Sequence, residues 1–219
     1  MANTLQPASL WHYFHQICQI PRASGKEKEI CDFLISFANK NGLIWKQDKA
    51  GNILISKKAC EGYENAPSVV FQSHVDMVCE KNSDVKFDFD KDAIIPVIEG
   101  DWMKARGTTL GADNGIGVAA QMALLSDQDL VHGPMECLFT VDEETGMTGA
   151  FGLEAGFFDS KLLINLDSED EGELFIGCAG GVRSTIRTSF TSHKPVGAHA
   201  FKIKLSGLKG GHSGDQIDK

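Results

Sequence analysis

Three short apolar runs decide most of what this chain can fold into. Residues 68–75 (SVVFQSHV), 136–141 (ECLFTV) and 162–166 (LLINL) are each shorter than an ordinary helix and dominated by aliphatic and aromatic side chains. Runs this nearly continuous suit strands buried on both faces of a sheet. Residues 52–56 (NILIS) read as a further strand, and residues 96–105 as a hairpin turning at Glu99-Gly100-Asp101. Helical patterns are interleaved with them. Leu10, Phe14, Ile17 and Cys18 share one helical face ahead of Pro21. Ile30, Leu34, Phe37 and Ala38 share another, with Ser24 and Glu27 spaced as a capping box and Gly42 as the stop. Residues 115–125 form a helix of small residues. Strands alternating with helices predict an α/β fold, a mainly parallel central sheet flanked by helices.

The texture changes near Arg183. Residues 183–190 and 200–205 (AFKIKL) alternate polar and apolar, as half-exposed antiparallel strands do. The change divides the chain into a first domain, residues 1–182, and the beginning of a second over residues 183–219. The sequence stops just after Gly210-Gly211-His212-Ser213-Gly214, before any closing element.

Charge narrows the partners. With 21 Lys plus Arg against 30 Asp plus Glu the formal charge is -9, a surface that repels phosphate backbones and anionic lipid. Neither nucleic acid nor a membrane is the expected partner. No apolar run approaches the roughly 18 residues of a membrane helix, and the first ten residues lack a signal-peptide pattern. Cys18, Cys31, Cys60, Cys79, Cys137 and Cys178 are scattered through apolar segments without a C-x-x-C pair, as buried thiols in a reducing compartment are. A cytoplasmic protein is the expectation.

The chemistry gathers where the apolar runs end. The first delivers His74 and Asp76, the second Glu143 and Glu144, the third Asp167, while Asp113 stands at the start of the small-residue helix. Ligands of open α/β sheets bind outside the carboxyl ends of the strands, so one crevice can collect all of these groups. Several carboxylates in one cleft repel each other and raise their own pKa values, a penalty that divalent cations remove. Imidazole nitrogen with carboxylate oxygen is a donor set that suits zinc. Two residues from His74 on a strand, Asp76 shares its face, either orienting the ring or standing beside the metal. Glu143 and Glu144 are adjacent and point apart, so one can bind metal while the other serves as general base.

Each motif also has a plainer reading: a hydrogen-bonded core histidine at 74, an N-cap at 113, a solvated turn over 142–144, an acidic loop from 167. Their joint placement favours the metal centre. Gly115-Ile116-Gly117-Val118-Ala119-Ala120 has the glycine spacing of a dinucleotide fingerprint, but no strand runs into it and Asp113 would occupy the pyrophosphate position. Gly211-His212-Ser213-Gly214 lacks the spacing of a nucleophile elbow, which disfavours a serine hydrolase.

Ser73-His74-Val75-Asp76-Met77-Val78, Thr109-Leu110-Gly111-Ala112-Asp113-Asn114-Gly115, Asp142-Glu143-Glu144-Thr145-Gly146 and Asn165-Leu166-Asp167 resemble, in order and spacing, the motifs of the metallopeptidase family of aminoacylases, carboxypeptidases and dinuclear-zinc dipeptidases. The resemblance implies two divalent ions, zinc first with cobalt or manganese as substitutes. His74 and Asp167 would hold one, Asp113 would bridge both, and Glu144 would hold the other. Asp76 would support His74, and Glu143 would be the general base for a hydroxide held between the ions. His212 would reach the substrate from a lid domain. The implied reaction is hydrolysis of dipeptides, Xaa-His among them; N-acyl amino acids are the alternative substrates within the fold, and a fragment without catalysis is the alternative outside it.

The resemblance further implies a longer protein, in which the second domain is an α+β lid that is inserted, can carry a homodimer interface, and is followed by the rest of the catalytic domain and a last ligating histidine. None of His12, His15, His132, His193 and His199 stands in a family ligand motif. The expectation is therefore an N-terminal portion with a weak second ion, little turnover as 219 residues, and exposed sheet edges prone to aggregate.

Overall fold

The computed structural model describes residues 5–168, 170–177, 182, 184–193, 196–197 and 199–207. The chain divides into two units, Met1–Phe175 and Ile176–Lys219.

In the first unit, α1 (Ala8–Ile17) buries Phe14 and Ile17, and α2 (Lys28–Lys40) buries Ile30, Cys31, Leu34, Phe37 and Ala38, the stripes that the helical spacing picks out. At the end of α2, Gly42 takes φ +66°, its N–H donates to Asn39 O at 3.2 Å, and Leu43 N–H donates to Ala38 O at 2.9 Å. These are the two bonds of a Schellman stop. The capping box at the start of α2 does not form. Ser24 Oγ donates to Asp76 Oδ2 at 2.7 Å instead, and Glu27 Oε1 accepts from the N–H groups of Gly25 (2.8 Å) and Asp142 (3.1 Å). The helix starts only at Lys28, so Ser24 is not at its N-cap; the Ser24 hydroxyl is free to donate to a charged acceptor and the Glu27 carboxylate to accept from loop amides.

The strands follow as β1 (Ile44–Gln47), β2 (Ile53–Lys57), β3 (Val69–His74) and the hairpin β4 (Pro96–Glu99) with β5 (Trp102–Ala105). After α3 (Ala112–Ser126) come β6 (Met135–Thr140), two single-turn helices, α4 (Glu143–Gly146) and α5 (Thr148–Phe151), and finally β7 (Leu162–Asn165). The sequence pattern misses β1, whose IWKQ has neither clean alternation nor much burial. The main sheet has the order β1-β2-β6-β3-β7. β6, β3 and β7 are mutually parallel, and β2 is antiparallel to both its neighbours, so β2 alone runs against the other four strands.

One face of the sheet, through Ile53, Ile55, Cys137 and Phe139, packs against the buried stripes of α1, α2 and α3. The opposite face, through Leu54, Val70 and Leu138, is covered by Phe157 with Leu153 and Phe158. Fully burying side chains of this size is worth about 1.5–3 kcal/mol each, which makes the β2–β6–β3 centre the rigid floor under the site. β7 departs from the expectation of a strand buried on both faces. It is an outer strand, paired with β3 alone among the described residues, and Leu162, Leu163 and Ile164 are about half exposed.

In the second unit the expected antiparallel strands over 183–190 and 200–205 are not found. The described residues there carry no strand, and Ile186, Phe190, Phe201, Ile203 and Leu205 are exposed. Backbone groups without a partner strand stay hydrated, and alternation alone does not supply one.

Candidate metal centre

The centre is built from the β3 end outward. His74, the last residue of β3, is 1 % exposed. Its Nδ1 lies 3.1 Å from the carbonyl of Asp76 and 3.2 Å from Asp76 Oδ1, while its Nε2 lies 2.9 Å from Asp113 Oδ1 and 3.5 Å from Asp167 Oδ1. One ring nitrogen is anchored by the protein and the other faces two carboxylates. That is the arrangement in which a metal-binding imidazole is held by an outer carboxylate.

Asp76 is fully buried and saturated. Besides the Ser24 hydroxyl, it accepts the backbone N–H of Glu143 on Oδ1 (3.0 Å) and of Glu144 on Oδ2 (3.1 Å). It thus ties the β3 end to the first turn of α4. The turn itself requires Asp142 at φ +53°, a left-handed position that Asp tolerates, and the Asp142 carboxylate braces it by accepting from the hydroxyls of Thr145 and Thr148. The reading of residues 142–144 as a solvated turn therefore fails: these contacts aim Glu143 and Glu144 towards His74.

Asp113 does not cap a helix. Gly111, at φ +69°, is the residue ahead of α3, and Asp113 and Asn114 depart from helical geometry inside its first turn. That irregularity turns Asp113 towards His74. Asn114 is buried and donates through Nδ2 to Asp167 Oδ1 at 2.5 Å. The α3 start thereby reaches the residues that follow β7.

Among the described residues, donor atoms of His74, Asp113 and Asp167 lie within 4.8 Å of one another, and so do those of His74, Glu143 and Glu144. These five residues could hold metal. Asp113 and Glu144, which the resemblance pairs across a second ion, fall in separate groups that share His74. A third group, Glu27, Asp76 and Asp142, meets the same distance. Its oxygens are engaged by protein donors, which accounts for it as a structural knot.

Electrostatics mark the centre as short of positive charge. Burial raises the Glu144 carboxyl and nearby Asp113 adds to it, carrying the value up to about 7; burial raises Glu143 as well, with Asp167, Asp76 and Asp113 adding to the effect. Burial opposes the charged form of His74, yet its hydrogen bonds to Asp113, Asp167 and Asp76 prevail and push the ring up to about 12. Burial opposes the charged form of Asp76 too, but His74, the Ser24 hydroxyl and the two α4 amides pull it down to about 2. In effect a proton on His74 offsets part of the negative charge of the carboxylates, beside the buried Arg22 guanidinium. The donor set, the crowding and the raised glutamates all fit divalent metal.

His212 lies outside the described residues. Asp76, Asp113, Glu143, Glu144 and Asp167 are all brought to His74. The sequence reading missed the residues beneath them. Arg22 is buried and donates to the carbonyls of Val75 and Asp76, at 3.1 and 3.0 Å, and of Gly111. Asn52, fully buried, accepts the Val141 N–H (3.2 Å) and donates to Gly149 O (2.8 Å), fixing the strand end that leads into α4. Isolated Arg and Asn residues in loops carry no sequence signal of burial. The only available hint was the glycine cluster they pack against.

Comparison with known proteins places the chain in a family. Residues 70–200 match peptidase family M20/M25/M40, and the chain belongs to that family. It is 50 % identical over 216 residues to the cytosol non-specific dipeptidase of Escherichia coli K12, covering 98 % of this chain and 44 % of that protein. The crystal structure of an aminoacylhistidine dipeptidase from Vibrio alginolyticus superposes with a TM-score of 0.77 at 49 % identity, over 78 % of this chain and 35 % of that one. An aminopeptidase PepT from Bacillus cereus superposes with a TM-score of 0.62 at 25 % identity, over 74 % of this chain and 43 % of its own. The chain therefore spans less than half the length of these relatives.

Proposed function

We propose that this chain carries the acidic and imidazole side of a metal-dependent dipeptidase centre. In this reading His74 and Asp167 would hold one divalent ion, Glu144 would hold a second, and Asp113 would serve both. Zinc is the first choice, with cobalt or manganese able to replace it. When bound, such ions polarise the peptide carbonyl and lower the pKa of water at the site.

The chain's own residues do the rest. Asp76 fixes the His74 ring and, through the Glu143 and Glu144 amides, sets the distance between glutamates and imidazole. Glu143, raised by burial and by its acidic neighbours, takes the proton of the attacking water and delivers it to the leaving amine. His212, in the part assigned to the lid over residues 183–219, reaches the substrate, and a second copy of the chain is a candidate partner through the same region. Cytoplasmic location and dipeptides such as Xaa-His are proposed from the names of the two most similar relatives quoted above.

The observation that carries the reading is the His74 ring, clasped at Nδ1 by Asp76 and open at Nε2 to two carboxylates. The test is zinc affinity, followed by hydrolysis of a dipeptide and of an N-acetyl amino acid. Glu143→Gln should retain zinc and remove the slight turnover expected of these 219 residues, whereas His74→Ala should weaken zinc by about 100-fold or more. Zinc retained in full by His74→Ala contradicts the metal assignment; faster cleavage of the N-acetyl compound shifts the substrate to N-acyl amino acids.

A further inference from the structure

Arg22 is the group the reading above leaves without a task. Arginine is almost never fully buried unless paired, yet Arg22 is 2 % exposed. Among the described residues no carboxylate forms an ion pair with it; its donors go to three backbone carbonyls. Nη1 donates to Val75 O and Asp76 O, in the segment that leaves β3, and Nη2 donates to Gly111 O, in the segment that enters α3. One planar guanidinium thus bridges the segment carrying His74 and Asp76 to the segment carrying Asp113. Its backbone joins in, since the Met77 N–H donates to Arg22 O at 3.1 Å.

The glycines of the Gly111-Ala112-Asp113-Asn114-Gly115 motif are shaped around this group. A Cβ on Gly111 would stand 2.4 Å from Nη2, and a Cβ on Gly115 would stand 2.7 Å from the same atom. The guanidinium closes both positions, joined at Gly111 by Met77, whose Sδ would lie 2.6 Å from the Cβ. Gly115 does not lie at positive φ, so its lack of a side chain answers to Arg22 and to Phe14, whose Cε2 would lie 3.3 Å away.

The geometry points to Arg22 as a positioning residue of the metal centre, a buried fork that sets the separation of His74 from Asp113 and for which the motif glycines form the socket. The inference rests on the proposed metal reading for its consequence but not for its geometry. Three fixed donors acting on two chain segments give a defined distance; a lysine keeps the charge and loses the fork.

The test uses the whole chain with Arg22→Lys, Arg22→Met and Gly115→Ala, and two readouts. In the metal-free chain, the Nε2–H proton of His74 held by Asp113 should give a slowly exchanging downfield NMR resonance. That resonance should be lost or moved in Arg22→Lys and in Gly115→Ala. With zinc alone as probe, both variants should bind about 10-fold or more weakly, as loss of an outer support does. Adding Gly115→Ala to Arg22→Met should cost less than Gly115→Ala costs in the parent chain, because the Nη2 atom that the new Cβ would strike is gone. Gly115→Ala gains helix propensity, so it keeps the experiment readable if Arg22→Met fails to fold. An unchanged His74 resonance with unchanged zinc affinity in both Arg22→Lys and Gly115→Ala overturns the inference. Absence of zinc binding by the parent chain, with the resonance behaving as stated, overturns the metal reading and leaves Arg22 as the clamp of the two segments.

Discussion

At the scale of single residues, the centre is governed by where one proton sits. A His74 ring pushed up to about 12 carries its proton at neutral pH, and a Glu144 carboxyl near 7 is half protonated there. A cation coordinated by these residues has to displace both protons, because ligating imidazole is neutral and ligating carboxylate ionised. Zinc uptake near pH 7 should therefore release protons, more of them near pH 6 than above pH 8. The sign follows directly: affinity climbs as pH rises through this window. Calorimetry in buffers of different ionisation enthalpy measures the release. A binding heat independent of buffer, with affinity independent of pH, would show that His74 is not a ligand.

At the scale of elements, the site depends on strand ends held by side chains from distant loops. Asn52 grips the junction of β6 and α5, and Gly149 leaves room for that grip: a Cβ there would meet Val141 O at 2.4 Å and Asn52 Oδ1 at 2.5 Å. Neither atom is free to move, so Gly149→Ala should cost about 1–3 kcal/mol in denaturant unfolding and weaken zinc through displaced Glu143 and Glu144. A variant equal to the parent in both would break the link from strand end to site. What could be read from the sequence divides along the same line. Periodicity marks helices, buried strands and the carboxyl ends where His74, Glu143 and Asp167 emerge, because burial acts on hydrophobic side chains at fixed spacing. The clamps made by Arg22, Asn52 and Asn114 are invisible to it, since a polar side chain's burial is decided by distant partners. The capping box fails for a related reason: Ser24 and Glu27 satisfy a local rule, but Asp76 and Asp142 offer better-placed partners from across the fold. The apolar LLINL run predicts a buried β7, yet composition cannot say which neighbour, if any, covers a strand.

For the molecule as a whole, the rigid β2–β6–β3 floor stands against an outer strand that is apolar and half exposed. An apolar edge strand with open backbone groups is a template for pairing with another chain. Leu163→Lys should reduce concentration-dependent association in sedimentation, with little loss of stability because Leu163 is already 52 % exposed. Association unaffected by this change would place the contact elsewhere.

The account's central claim, that His74, Asp113, Glu144 and Asp167 gather round divalent metal, is tested most directly by anomalous diffraction at the zinc absorption edge from crystals of the zinc-loaded chain. The expected map has a peak about 2.0–2.2 Å from His74 Nε2 and from oxygens of Asp113 and Asp167, with any second peak beside Glu144. A map with no peak near His74, or with its strongest peak among Glu27, Asp76 and Asp142, would contradict it.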